Sequence, residues 1–171
     1  MGSTEPLTLE QRVTRLEDME AIKKLKARYA EFLDAGYDPE GIAGLFAEDG
    51  RWIIEGVTIT GTEAIKEQCR RLVHGQPWSC HNITPSIIEI DPDGTRATGS
   101  FYMLTFLTLR DTQGKDGAFF LPGIFRDTFI KKNGRWYIQE VEAHVRQAAP
   151  WTEGWVKGGF AQGFFDLKNG E

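Results

Sequence analysis

Apolar residues recur at three- and four-residue steps along the first third of the chain, which is the period of an α-helix. The repeat occupies Leu9, Val13, Leu16, Ile22, Leu25, Tyr29 and Phe32. A change of phase near residues 18–20 predicts a short helix followed by a longer one. The pattern stops near Gly36, where glycine favours the end of a helix. Asp38 and Pro39 then predict the N-cap and first residue of another short helix, followed by a turn at 48–50.

The middle of the chain predicts a β-hairpin and one more helix. Residues 51–55 and 57–60 are short β-rich runs on either side of Gly56. Thr62 is of a type that caps helices, and it predicts a helix that extends to about Leu72.

From Trp78 onward the pattern is typical of long strands joined by short turns. The predicted strands cover about 79–90, 95–110, 117–132 and 135–148. Turn signals separate them, with Asp-Pro-Asp-Gly at 91–94 and Asn-Gly at 133–134. Pro-Gly at 122–123 interrupts the third strand and predicts a bulge or an edge position. Short turns between long strands favour an antiparallel sheet, and helices followed by a sheet define an α+β fold.

Residues 1–171 are expected to form one domain, since this length suits a single core. Residues 1–8 are expected to be a loose tail. Residues 150–171 form an aromatic, glycine-rich C-terminal extension. The extension is too apolar for a disordered tail, so we expect it to pack on the protein body or on a neighbouring subunit.

Composition limits the possible binding partners and the cellular compartment. The net charge of −5 comes with no basic stripe, which argues against nucleic acid as a partner. No apolar run approaches the ~20 residues of a membrane helix, and the N-terminus lacks the basic start and apolar core of a signal peptide. Two cysteines, Cys69 and Cys80, are too few for a disulfide framework. We therefore expect a cytoplasmic protein without a membrane partner.

The three histidines of the chain show no paired metal-ligand spacing, so neither a metal nor another cofactor is predicted. His81 lies at the start of the first long strand, beside Asn82. Histidine exchanges protons near neutral pH, which makes His81 a candidate general base. The alternative is a structural histidine that is hydrogen-bonded at the start of a strand.

The last predicted strand carries a polar face. His144 and Arg146 are two residues apart and so point to the same side of the sheet, together with Trp136 and Ile138. This face is either an outer surface with ion pairs or a polar patch in a cavity. In the second case Arg146 would bind a carboxylate, phenolate or enolate oxygen, and His144 would act as a second acid or base.

The strand at 101–109 is apolar on both faces, so both faces must be covered. One face would line a cavity, and the other would contact a neighbouring subunit. We therefore expect a homo-oligomer, with a trimer favoured and a dimer possible.

Two residues of the long first helix have open interpretations. Tyr29 lies on the apolar stripe, as either a core aromatic or a hydrogen-bond donor to a substrate oxygen. Asp34 lies far from the centre of that stripe on a helical wheel. Periodicity alone favours a solvated acid or a helix-end cap for Asp34.

Several motifs and the order of the elements resemble the nuclear transport factor 2-like (NTF2-like) superfamily, in its SnoaL-like branch. They are Ile-Lys-Lys-Leu-Lys-Ala-Arg-Tyr at 22–29 with Asp34 after it, Ala-Glu-Asp-Gly-Arg-Trp at 47–52 before Glu55, and Gly-Arg-Trp-Tyr-Ile at 134–138. The resemblance covers nearly the whole chain. It implies a cystatin-like cone, in which N-terminal helices pack on a strongly curved antiparallel or mixed β-sheet.

Lyases of this branch eliminate water or HCl from apolar substrates with an Asp–His pair and no metal. The resemblance therefore implies the catalytic set His81, Asp34, Tyr29 and Arg146. One branch member has a further carboxylate on the strand after the histidine, and Thr105 or Leu104 stands in that region here. The residues expected to bind the substrate are His144, Trp52, Trp78, Asn82, Phe101, Thr105 and Phe120.

These features together predict a cofactor-independent lyase. Its expected substrate is a bulky apolar, aromatic or polycyclic hydroxylated compound, which loses water or a small fragment by carbon–carbon cleavage. One alternative is an isomerase or a polyketide-type cyclase in the same cavity. Another is a non-catalytic module for small-ligand binding or assembly, since the fold alone does not settle function.

Overall fold

The computed structural model describes residues 6–54 and 56–157. Glu55 of the predicted motif and the end of the C-terminal extension at 158–171 lie outside the described residues, as do residues 1–5. The elements in chain order are α1 (Leu9–Asp34), α2 (Pro39–Ala43), β1 (Phe46–Ile54), β2 (Val57–Thr60), α3 (Thr62–Gly75), β3 (Trp78–Ile90), β4 (Arg96–Arg110), β5 (Asp116–Lys132), β6 (Arg135–Val145), β7 (Ala149–Pro150) and α4 (Gly154–Lys157).

Helix α1 is continuous, so the predicted break in it is wrong. Thr8 and Gln11 begin the helix with a capping box, in which each side chain accepts from the backbone N–H of the other. The change of phase marks a buried acid instead. Asp18 points inward and accepts hydrogen bonds from Lys131 at 2.7 Å and from the Trp136 indole at 2.8 Å.

Of the two predicted N-caps of the later helices, one is confirmed and one is wrong. Asp38 caps α2 by accepting hydrogen bonds from the backbone N–H of Glu40 and Gly41, as predicted. The predicted cap of α3 is wrong, because Thr62 is the first helical residue and Gly61 occupies the N-cap position. Gly61 has a φ of 87°, a conformation that favours glycine, and its N–H donates to the Gly50 carbonyl at 2.8 Å.

The strands form one mixed sheet in the order β2-β1-β6-β5-β4-β3, with β7 paired to β5. β1 and β6 are parallel, and the other pairs are antiparallel. Asn133 and Gly134 both have positive φ, which is typical of the two-residue turn predicted between β5 and β6. The α+β prediction and the long strands are confirmed.

The predicted turn at 48–50 is wrong, whereas the predicted irregularity at Pro122 is present on only one side of its strand. Residues 48–50 belong to β1, where the four residues between Phe46 and Arg51 oppose only Gln139 on β6. The Glu-Asp-Gly signal therefore marks a bulge and not a turn. Pro122 lies in the interior strand β5, where its carbonyl accepts from Arg146 as pairing changes from β6 to β7. Its missing N–H faces that same gap, so no ladder hydrogen bond is lost.

The concave side of the sheet packs against α1 and α3 and forms the main core. An ion pair between Lys26 and Asp127, with Nζ and Oδ2 2.8 Å apart, is fully buried there. The Lys26 ammonium lies 3.6 Å from the ring centre of Phe125 and 4.4 Å from that of Tyr29. This charged pair therefore sits directly behind the aromatic residues of the concave face.

The segment after β6 packs on the convex side. The Trp151 ring contacts Phe106 and Phe120 edge-to-face, at centroid distances of 6.0 and 6.3 Å, and Trp155 contacts Phe120 at 6.3 Å. In the described part of the extension, at 150–157, Trp151 and Trp155 make the predicted contacts with the protein body. No helix within the described ranges is long and apolar enough to cross a membrane.

Candidate active site

Asp34 and His81 form a hydrogen-bonded pair where the end of α1 meets β3. His81 Nδ1 lies 2.6 Å from Asp34 Oδ1, and the His81 backbone N–H donates to Asp34 Oδ2 at 2.9 Å. The Ser79 hydroxyl also donates to Asp34 Oδ1, at 3.0 Å. With Nδ1 occupied by the carboxylate, Nε2 is the ring nitrogen left to exchange a proton with a ligand.

The sheet topology explains why an acid of α1 reaches this histidine. β3 is the last strand of the sheet among the described residues, so within them the N–H groups on one of its sides have no strand partner. The C-terminal end of α1 runs along this free edge, and Asp34 fills one such position at His81. Asp34 therefore faces the edge of β3 and not open solvent, which a helical wheel cannot indicate.

The hydrogen bonds keep Asp34 ionised. Partial burial acts to raise the pKa of Asp34, but the hydrogen bonds from the ring and backbone of His81 and from Ser79 outweigh it. The pKa of this carboxyl therefore lies below its usual range. A carboxylate in this position orients the imidazole and stabilises the imidazolium that forms when the ring accepts a proton.

His81 opens into a cavity between α1, α3 and the concave face of the sheet. The space open to a water-sized molecule is about 50 Å³, far below the ~300–1,000 Å³ that is usual for small-molecule sites, so a ring compound requires side chains of the walls to move apart. Its apolar walls include Leu33, Ile54, Leu72, Leu107, Leu121 and Val145. Its polar lining groups are Tyr29, Tyr37, Trp52, Gln76, His81 and Thr105. None of the described lining residues is a lysine or an arginine.

Tyr29 occupies the wall formed by α1. Its ring meets Phe46, Trp52 and Phe125 edge-to-face, at centroid distances of 6.1 to 6.3 Å. Burial raises the pKa of Tyr29 well above its usual range, and the charge of Asp127 adds to the effect. The hydroxyl therefore stays protonated and can donate a hydrogen bond but not act as a base.

Thr105 lies directly opposite His81 on the neighbouring strand β4. The His81 N–H bonds to Asp34 and not to β4, so the two residues form a non-hydrogen-bonded pair, whose side chains approach closely. Thr105 is 3 % exposed, and its hydroxyl has no hydrogen-bond partner among the described residues. A buried polar atom without a partner beside the histidine is well placed to bind a ligand.

Sequence analysis missed two polar residues of the cavity. The Tyr37 hydroxyl donates to the side-chain oxygen of Gln76, and both side chains are buried. Tyr37 follows the end of α1 and Gln76 follows the end of α3, outside any periodic pattern. The sequence signal that could have identified them is a polar or aromatic residue in each short connection that follows a helix.

Arg146 and His144 lie on the other side of the sheet, so their predicted place in the cavity is wrong. The Arg146 guanidinium packs 5.4 Å from the ring centre of Tyr102, and His144 pairs with Glu142 at 3.1 Å. The cause is a bulge in β6, where Gln139 is an extra residue. This extra residue reverses the alternation along the rest of β6. The side chains of Ala143 and Val145 therefore point toward the cavity, and those of His144 and Arg146 point away from it.

Three predicted substrate-binding residues also lie away from the cavity. Trp78 is 55 % exposed, and Asn82 is exposed and donates to the Leu104 carbonyl at 3.3 Å. Phe120 is covered by Trp151 and Trp155 on the convex side. Strand alternation explains all three positions, since their neighbours Ser79, His81 and Leu121 point to the concave side.

Phe101 points to the concave side but packs deeper in the core, against Phe129 at a centroid distance of 6.3 Å. Its predicted contact with substrate is therefore also wrong. The structure thus brings together four predicted catalytic or binding residues with Asp34: Tyr29, Trp52, His81 and Thr105. Among the residues described, no group of three or more His, Cys, Asp or Glu side chains is arranged to hold a metal ion.

Helices packed on a curled mixed sheet, with a dyad at the mouth of the cone, define an NTF2-like α+β protein. The family profile of the SnoaL-like domain matches residues 14–142, and the chain belongs to that family. The NTF2-like fold and the SnoaL-like branch expected from the sequence are confirmed.

Solved structures agree with this assignment. An NTF2-like protein with a cystatin-like fold from Novosphingobium aromaticivorans is 27 % identical, with a TM-score of 0.65 over 85 % of this chain and 92 % of that one. A scytalone dehydratase-like protein from the same organism is 22 % identical, with a TM-score of 0.72 over 89 % and 97 % of the chains. Hexachlorocyclohexane dehydrochlorinase LinA-type3 from Novosphingobium barchaimii is 18 % identical, with a TM-score of 0.72 over 81 % and 93 %. The last two show likeness of fold.

Proposed function

We propose that this protein is a cofactor-independent lyase that eliminates water or another small fragment from an apolar, hydroxylated ring compound. The observation that carries the proposal is the Asp34–His81 pair at the edge of an apolar cavity, with Nδ1 and Oδ1 2.6 Å apart. The family and its dehydratase-like and dehydrochlorinase relatives support a lyase or isomerase type of activity.

His81 performs the proton transfer in this proposal. Its Nε2 removes a proton from a ring carbon that is acidified by a neighbouring carbonyl or aromatic group. The electron pair of that C–H bond forms a carbon–carbon double bond as the C–O bond to the leaving hydroxyl breaks. The imidazolium, stabilised by Asp34, then returns the proton to the leaving oxygen, and water is released.

Tyr29 and Thr105 stabilise oxygen atoms of the substrate in this scheme. Tyr29 stays protonated and donates to the oxygen that gains charge as the ring carbon loses its proton. The free hydroxyl of Thr105 binds an oxygen next to His81. These two groups take over the role that the sequence assigned to Arg146.

The central test is a mass-resolved screen of phenolic, steroid and polyketide alcohols with the wild-type protein and its His81→Ala variant. A lyase lowers the mass of the substrate, whereas an isomerase or cyclase that acts by proton transfer leaves it unchanged. We expect turnover by the wild type and at least a thousandfold loss in the variant. Equal turnover by both proteins on every active substrate refutes the role of His81.

Arg146→Ala is the matched control for this screen. Its guanidinium lies on the convex side over Tyr102, so the variant is expected to keep the turnover of the wild type within about twofold. A loss comparable to that of His81→Ala would return Arg146 to the catalytic set.

We also propose that the convex face mediates self-association into a homotrimer. This side of β3 and β4 exposes large apolar side chains, at Trp78, Tyr102 and Leu104, and Trp151 and Trp155 extend the same surface. Exposed aromatic patches of this kind are typical of protein interfaces. Size-exclusion chromatography with light scattering measures the mass of the assembly. A trimer is expected to have three times the chain mass of 19.3 kDa, and a monomeric mass would contradict the proposal.

A further inference from the structure

The backbone of Tyr37 is unusual for its residue type. Its φ is 57°, and among the described residues only Asn133 shares a positive φ without being glycine. Asn133 lies in a hairpin turn that requires this conformation, whereas Tyr37 lies in the connection between α1 and α2. Bulky residues in the left-handed region are uncommon and concentrate at functional sites.

Flanking hydrogen bonds hold Tyr37 in this conformation. Its N–H donates to the Leu33 carbonyl at 3.0 Å, and the N–H of Asp38 donates to the Phe32 carbonyl at 3.0 Å. Pro39 begins α2 immediately afterwards. The chain therefore folds back over the end of α1 and turns the tyrosine ring, 4 % exposed, into the cavity.

Gln76 is the partner of Tyr37 from the opposite helix. It follows the last residue of α3, where its N–H donates to the Leu72 carbonyl at 2.9 Å, and it is 6 % exposed. Its side-chain oxygen accepts the Tyr37 hydroxyl proton, which fixes the amide with its NH₂ group free. Within residues 6–54 and 56–157 that NH₂ group has no hydrogen-bond partner, although the residue lines the cavity.

The pair offers neutral hydrogen-bonding groups of both kinds. The Gln76 amide has two N–H donors, and the Tyr37 oxygen keeps its lone pairs as acceptors. Burial raises the pKa of Tyr37, and the charge of Asp34 raises it further, so the tyrosine does not ionise near neutral pH. Since the described lining residues include no lysine or arginine, the arrangement suits an uncharged oxygen better than an anion.

We propose that Tyr37 and Gln76 form a second recognition site in the cavity, which binds an uncharged carbonyl or hydroxyl group of the substrate. This group is distinct from the one that reacts at His81. The inference rests on the proposed function for the location of the substrate. It adds that the substrate is a ring compound with at least two oxygen substituents.

The test compares ligands that differ by one hydroxyl group. Binding of 2-naphthol and of a set of dihydroxynaphthalenes, with the second hydroxyl at different ring positions, is measured by calorimetry with the wild-type protein. We expect at least one diol to bind about tenfold more tightly than 2-naphthol. In Gln76→Leu and Tyr37→Phe this preference disappears, while the affinity for 2-naphthol stays within about threefold.

A control variant and a stability measurement distinguish a role in recognition from a role in folding. Gln113→Leu, in the exposed turn between β4 and β5, is the matched control and keeps the preference. Thermal unfolding shows whether Tyr37→Phe or Gln76→Leu is folded, and a purely structural role would shift the melting temperature and not the difference between diol and naphthol. The inference is overturned if no diol is preferred by the wild type, or if the preference survives in folded Gln76→Leu.

The outcome is independent of the test of catalysis. His81→Ala removes the proposed base but leaves Tyr37 and Gln76 in place, so it is expected to keep the diol preference. If His81→Ala retains full turnover, the lyase proposal fails while the recognition site stands. If Gln76→Leu keeps the diol preference while His81→Ala loses turnover, the recognition site fails and the lyase proposal stands.

Discussion

Asp34 accepts hydrogen bonds from two different parts of His81. The backbone N–H donates at 2.9 Å to one carboxylate oxygen, and ring Nδ1 lies 2.6 Å from the other. One carboxylate thus fixes the position of the strand and the orientation of the ring that the strand carries. This double contact ties the end of α1 to β3.

The Asp34→Asn variant tests the orienting role of the carboxylate. The asparagine amide can still accept one hydrogen bond, but its NH₂ group can only donate to Nδ1, which favours the wrong tautomer of His81. We expect turnover on a substrate found in the screen to fall about a thousandfold or more. Glu20→Gln on the exposed side of the same helix makes the same chemical change and should leave turnover unaltered. Comparable activity in Asp34→Asn and Glu20→Gln would contradict the role of Asp34.

Stability should depend on pH through the same carboxyl. The pKa of Asp34 is lowered in the folded protein relative to the ordinary value of about 3.9, so the unfolded chain binds more protons in that range. The stabilisation is therefore complete above about pH 5 and is lost as the pH falls through the folded pKa. Urea unfolding of wild type and Asp34→Asn should give a difference in free energy that is constant near neutrality and shrinks toward pH 3. A difference that stays constant down to pH 3 would show that the carboxylate is not preferentially bound in the folded state.

The Thr105→Val variant distinguishes a role of the Thr105 hydroxyl in ligand binding from a role in folding. Valine has the shape of threonine without the hydroxyl, which has no partner in the described residues. We expect the free energy of unfolding to stay the same or rise by about 1 kcal/mol, because a buried unsatisfied group is removed. Turnover should fall about tenfold to a hundredfold if the hydroxyl binds a substrate oxygen.

The control for this change lies on the same strand. Thr98 is an exposed residue of β4, so Thr98→Val is expected to alter neither stability nor turnover appreciably. Thermal unfolding and steady-state kinetics measure both quantities on both variants. If Thr105→Val is destabilised and keeps full turnover, the hydroxyl has a structural partner instead of a ligand.

The buried pair of Lys26 and Asp127 predicts strong coupling between two side chains. Burial lowers the pKa of Lys26 and raises the pKa of Asp127, in each case against the opposing effect of the partner. Lys26→Met alone leaves a buried acid without its partner and is expected to cost about 3–5 kcal/mol. The double variant with Asp127→Leu should cost much less than the sum of the single changes, as measured by urea unfolding in a double-mutant cycle. Additive costs would mean that the two groups do not form a coupled pair.

The sequence predicts the strands well because their ends have local causes. The turn at Asn133 and Gly134 and the start of α2 at Asp38 each depend on residues within the turn or cap itself. The faces of β6 could not be predicted, because one extra residue at Gln139 exchanges inside for outside. Such a bulge depends on the register with β5, which no local pattern of β6 reveals.

The residues of the candidate site also fall into two groups, those that local sequence could predict and those that it could not. His81 could be proposed from its own chemistry, but its contact with Asp34 depends on where α1 ends relative to the free edge of β3. Family resemblance supplied that contact, whereas periodicity favoured solvent. Tyr37 and Gln76 were missed because both lie in connections, where side-chain direction follows from backbone angles and not from periodicity.

The location of the dyad on the last strand of the sheet has a consequence for self-assembly. An unpaired strand edge can recruit another extended chain and so begin aggregation. At His81 the exposed N–H is already bound by Asp34, and α1 runs along the same edge. The carboxylate that orients the base thus also occupies a backbone donor that could otherwise pair with another strand.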